Sequence, residues 1–117
     1  MKNLGTLSLK ASEAIVENKF VTITGNYEVG QADADDLVAG VANTNADAGQ
    51  SIAVEGRGVV KVVSAEAVAA GEPVKSDANG EAEVATTGED FVGVAVTSST
   101  AAGEMVDVLL DVTGTVA

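Results

Sequence analysis

The chain has 117 residues with 18 acidic and 6 basic side chains, a net charge of −12. That is room for one domain, and the charge repels phosphate backbones and anionic membranes, so neither nucleic acid nor a membrane is expected as a direct partner. The absence of histidine, cysteine and tryptophan removes thiol catalysis, disulfides, an imidazole base for a serine nucleophile and the commonest zinc ligands.

Residues 1–13 are expected to form an N-terminal arm. Leu7 and Leu9 alternate with Ser8 and Lys10, a period-2 pattern that suits either an edge strand or a segment laid on a partner. Leu4, Leu7 and Leu9 are half of the six leucines, and Lys2 and Lys10 are the only charges in residues 1–10. Lys2, Leu4, Leu7, Leu9 and Lys10 are therefore the candidate contact residues, the one segment of this acidic chain able to approach an acidic surface without repulsion.

Residues 14–117 are expected to form a single β domain, because 20 valines, 10 threonines and 13 glycines suit pleated strands and tight turns. Phe20–Thr24 reads as a strand closed by Gly25-Asn26, and Gln31–Asp36 as an acidic loop. Leu37–Ala42, Ser51–Glu55 and Val59–Val63 follow as strands, the last expected to be buried on both sides except at Lys61. Arg57 lies between two glycines at a bend. Ser64–Gly71 is the one stretch with helical character, capped by Ser64 and stopped by Gly71. Pro73 opens a strand over Val74–Ser76, and Asn79-Gly80 favours a hairpin turn. Glu81–Ala85 alternates acidic and apolar residues; Phe91–Thr97 and Met105–Asp111 complete the strands. The expected fold is all-β with at most one short helix, a small barrel or sandwich.

The chain also repeats itself. Gly40-Val41-Ala42 returns as Gly93-Val94-Ala95 and Ala48-Gly49 as Ala102-Gly103, and Ala14-Ile15 and Val21 are answered by Ala67-Val68 and Val74. The repeat predicts two similar halves, about 14–55 and 67–108, each completing a core it cannot close alone. It points to scaffolding or binding rather than catalysis.

No motif argues for an enzyme. Two carboxylates suffice for glycoside hydrolysis, but sugar sites usually offer aromatic platforms and only Phe20, Tyr27 and Phe91 are aromatic. Asp33, Asp35 and Asp36 could supply oxygen ligands to a hard cation; the EF-hand spacing is absent, and a solvated loop accounts for them as well. Gly56-x-Gly58 is a weak phosphate signal without the lysine that follows in a P-loop. No cofactor or metal site is expected. No apolar run reaches the roughly 18 residues of a membrane span, and the first ten residues lack a signal-peptide core, so export is not indicated.

Lys2-Asn3, Gly5 to Leu9, Gly71-Glu72-Pro73-Val74, Gly93-Val94-Ala95 and Ala101-Ala102-Gly103-Glu104 occur in an order that resembles the small decoration, or cement, proteins of tailed-bacteriophage capsids. The first half departs from it at Asn18-Lys19-Phe20-Val21, where the Gly-Glu-Pro-Val step would fall. The resemblance implies a small β-barrel-like subunit, a homotrimer, bound to the major capsid protein on the outer surface of the virion shell and stabilising it. Two other readings stand beside it. A lipoyl- or biotinyl-type carrier would need a lysine on an exposed hairpin tip, and a fibre or surface module would need only the β fold.

Overall fold

The computed structural model describes residues 6–34, 36–110 and 112–117. Among these residues there is no helix, and twelve strands occur: β1 (Thr6–Ala11), β2 (Phe20–Gly25), β3 (Glu28–Gln31), β4 (Val38–Ala42), β5 (Ser51–Glu55), β6 (Val59–Val63), β7 (Pro73–Ser76), β8 (Ala82–Val84), β9 (Asp90–Phe91), β10 (Gly93–Ala95), β11 (Met105–Leu109) and β12 (Gly114–Thr115). The fold is all-β, as the valine-rich composition requires.

β1, β3, β2, β4 and β5 close into a five-stranded barrel. Closure is made by β1, which runs antiparallel to β5 and parallel to β3. Residues 6–11 are thus a barrel strand rather than part of an arm. The physical reason is on its inward face, where Leu9 and Ala11 join Val21, Val29, Ile52 and Val54 in the core. The second sheet runs β6, β11, β10, β7, β8, the order β1, β5, β4, β2, β3 with each strand replaced by one 53 or 54 residues later. Single bridges match as well: Ile15 with Ala46 against Val68 with Ser99. β9 and β12 form a separate two-stranded ribbon.

The same backbone devices recur at the same positions. A Cβ on Gly40 would collide with the Glu55 carbonyl, and one on Gly93 would lie 2.7 Å from the Leu109 carbonyl oxygen, so both positions need glycine for strands to approach. Asn18 takes the left-handed conformation (φ 65°) that Gly71 takes in the second half (φ 92°); asparagine tolerates it better than most residues. Divergence from Gly-Glu-Pro-Val thus leaves the local turn in place.

One difference separates the two sheets. In the barrel, the Lys10 N–H donates to the Tyr27 carbonyl (2.8 Å), sealing β1 to β3. The corresponding groups of the second sheet, the Val63 N–H and the Gly80 carbonyl, bond instead to Asn18 O (2.9 Å) and Phe20 N (2.8 Å). Residues 18–20 of the first half are therefore wedged between β6 and β8, which are linked by an isolated bridge from Ser64, just after β6, to Ala82. Lys19 reinforces the wedge through an ion pair with Glu81 at 3.3 Å. Phe20, Ala32 and Val41 consequently belong to the core of the second half, packed with Val60, Val62, Val106 and Val108.

Ser64–Gly71 is not helical. Eight residues cannot offset the cost of helix nucleation, and their polar groups find long-range partners. The buried Ser64 hydroxyl lies 3.0 and 2.9 Å from the carbonyls of Ala101 and Glu104, and a Glu66 oxygen accepts from the Val84 N–H. β6 is buried on one face only: Val60 and Val62 point inward while Val59 and Lys61 are exposed.

Candidate functional site

The contact residues expected from the sequence separate in the structure. Lys2 and Leu4 lie outside the described residues. Leu9 is 8% exposed and lies beside Ile52 of the neighbouring strand on the inner face, so it serves the core. Leu7 stands on the same face one step nearer the barrel mouth, opposite Val54, and is 47% exposed. Lys10 points outward, exposed, in register with Ser51 on one side and Glu28 on the other. Leu7 and Lys10 thus project from opposite faces of β1, since side chains alternate along a strand.

The acidic loop organises its own backbone. The Asp33 N–H donates to Asp36 Oδ2 (2.8 Å) and the Ala34 N–H to Asp33 Oδ1. Asp35 lies outside the described residues, and among those described no three histidine, cysteine or acidic side chains are grouped to hold a metal ion.

An open cleft of about 800 Å³ lies between the 34–40 segment and the β9–β12 ribbon, lined in part by Leu37, Phe91, Leu110 and Lys75. Lys75 is buried, with its ammonium 3.1 Å from Glu89 and 3.8 Å from Glu83. Glu89 accepts bonds from the Thr86 N–H and hydroxyl and from Lys75, which together hold its carboxyl down to about 2. Burial pushes the Glu83 carboxyl up, against the pull of Lys75. The Thr100 N–H and hydroxyl hold Glu104 below the usual carboxylate range at the turn before β11. These carboxylates pin turns and one buried ammonium. Lys61 is paired with Asp107 at 3.0 Å within the sheet, so neither Lys61 nor Lys75 sits on the exposed hairpin tip that a lipoyl-type carrier needs.

A family profile described as phage cement protein matches residues 2–110. The chain belongs to the phage cement protein family. The cement-protein role is structural, in decoration of the phage capsid. The cement fold here is similar to a solved structure titled the head fiber gp8.5 N base in bacteriophage phi29, at 15% identity and a TM-score of 0.76, covering 90% of this chain and 92% of that one. Among curated proteins none matches.

Sequence reasoning missed one surface of this cement protein. Val59, Val96 and Met105 are about half exposed, yet their valine-rich neighbourhood reads as core when only hydrophobicity is considered. The signal that could have found them is comparison of the two halves position by position, because the first half carries Thr6, Asn43 and Ser51 there.

Proposed function

We propose that the protein is a head decoration subunit that binds the outer surface of the capsid as a homotrimer, contacts the major capsid protein and stabilises the shell against internal pressure. Membership of the phage cement family across residues 2–110 carries this reading. The structure supports it with a small, rigid, all-β unit in which the side chains of the first half complete the core of the second. We also infer that the two halves are copies of one ancestral unit, because inward-facing core positions of the first half have buried counterparts in the second. Leu9, Val21, Ile52 and Val54 match Val62, Val74, Val106 and Val108.

The capsid contact is assigned to the N-terminal segment: Lys2 and Leu4 with the exposed Leu7 and Lys10, but not the buried Leu9. Residues 6–11 must be kept in the test because they close the barrel. A variant lacking residues 2–5 and carrying Lys10→Glu is expected to melt near the parent temperature and to fail to co-sediment with undecorated capsids. Full-strength capsid binding by that variant would overturn the assignment, and failure of the intact protein to bind such capsids would overturn the decoration reading.

A further inference from the structure

We propose that the outer face of β6, β11 and β10 is a self-association surface, covered by a second copy of this chain. Cross-strand register places Val59 beside Leu109, Lys61 beside Asp107 and Val63 beside Met105 on one face of the sheet, with Val94 next to Leu109. Residues opposite one another in a ladder share a face; the intervening Val60, Val62, Val106 and Val108 fill the core behind it. Just beyond β10, the Val96 N–H donates to the Asp107 carbonyl (2.7 Å), bringing Val96 to the same sheet. Val59, Val96 and Met105 are 56%, 49% and 46% exposed. Such a grouping of apolar side chains on a strongly charged protein marks an interaction site.

The first half supplies the control. The same register there pairs Thr6 with Glu55, Ser8 with Ala53 and Lys10 with Ser51. Two halves of one architecture thus keep the same inner face and differ on the outer one, polar in the first and apolar in the second. Folding requires only the inner pattern.

Two observations select another copy of the chain as occupant. On the first half, Phe20 and Val41 are outer residues that pack on the neighbouring sheet of the second half. Their counterparts Pro73 and Val94 stand in one row with Val59 and Leu109, so the exposed face continues the surface that this architecture already uses to pack on its own kind. Charge agrees with this. Although the chain carries −12, Asp107 is the acidic group within these three paired rows and Lys61 neutralises it at 3.0 Å. Within those rows two copies can meet without bringing unpaired carboxylates together, and salt screens the repulsion between the remaining exposed acidic groups.

The inference deepens the trimer reading but is tested without capsids. Sedimentation equilibrium of the intact protein should show an oligomer that strengthens as salt is raised. Val96→Asp and Met105→Lys, both at exposed positions, should each weaken association about tenfold or more with unchanged melting of the subunit at low concentration. Asn43→Asp, at the matching position of the first half, should leave association as it is. A monomeric parent, or variants that associate like the parent, would overturn the proposal. So would variants that lose capsid binding while keeping the parent's oligomeric state, since the face would then belong to the shell. An oligomer other than a trimer would overturn the trimer reading and leave the face standing.

Discussion

Glu89 shows how single residues hold the ribbon region together. Its carboxylate accepts from the Thr86 N–H and hydroxyl and from buried Lys75, and these bonds favour the ionised form down to about 2, against an ordinary value of 4.5. A group whose value is lowered by folding contributes stability above its unfolded value and loses it as pH falls toward its folded one. Glu104 acts in the same sense, and Glu83, raised by burial, in the opposite one. The melting temperature should therefore drop as pH is lowered from about 4.5 toward 2, and the drop should be shallower in Glu89→Gln. Parallel curves for parent and variant would show that these bonds do not survive in solution.

At the scale of elements, equivalent strands do unequal work. Val41 and Val94 are matched in sequence and lead to the expectation of matched core roles. In the structure Val41 is fully buried because the second half covers it, whereas Val94 is only half-buried on the outer face. Val41→Ala is expected to cost on the order of 1–3 kcal/mol, from lost burial and an unfilled cavity, and Val94→Ala less than about 1 kcal/mol. Urea midpoints check this, and equal losses would contradict it. The contrast also shows what the sequence could reveal. Ser51–Glu55 was legible as a strand because isoleucine and valine alternate in it, Val59–Val63 because it is a run of β-branched residues next to a glycine bend, and the turn at Asn79-Gly80 because its glycine must adopt positive φ. Residues 6–11 and Ser64–Gly71 were not, because their partners are far along the chain. β1 is made a barrel strand by Ser51–Glu55, and Ser64 is fixed by carbonyls 37 and 40 residues away. Of the candidate contact residues, alternation marked Leu7 and Leu9 as one face; it could not say that Leu9 lies inside the barrel and Leu7 at its mouth.

For the molecule as a whole, the wedge of residues 18–20 decides how the two halves depend on one another. The first half closes its own barrel and has its own core of nine buried side chains. The second half does not close: Phe20 of the first half fills it, and the Val63 N–H and Gly80 carbonyl are satisfied by residues 18–20. The arrangement also cannot propagate to a third unit by the same insertion. Pro73 stands where Phe20 stands and has no N–H to donate, and the seam that would receive it is already sealed by the bond from Lys10 to Tyr27. Dependence therefore runs one way. A fragment of residues 57–117 would expose the seam groups and the apolar residues that Phe20, Ala32 and Val41 cover, and it is expected to be unfolded by circular dichroism and amide exchange. Adding a separate fragment of residues 1–56 should restore its protected amides, because that fragment carries the wedge. Phe20→Ala in the first fragment should reduce the rescue sharply, since removal of a buried phenylalanine costs about 3–5 kcal/mol. The intact chain, whose second core is built from side chains of both halves, should unfold in a single urea transition with the same midpoint by every probe. A stably folded 57–117 fragment, or two resolved transitions in the intact chain, would show that the second half closes without the first and that the wedge is a contact rather than a component of its core.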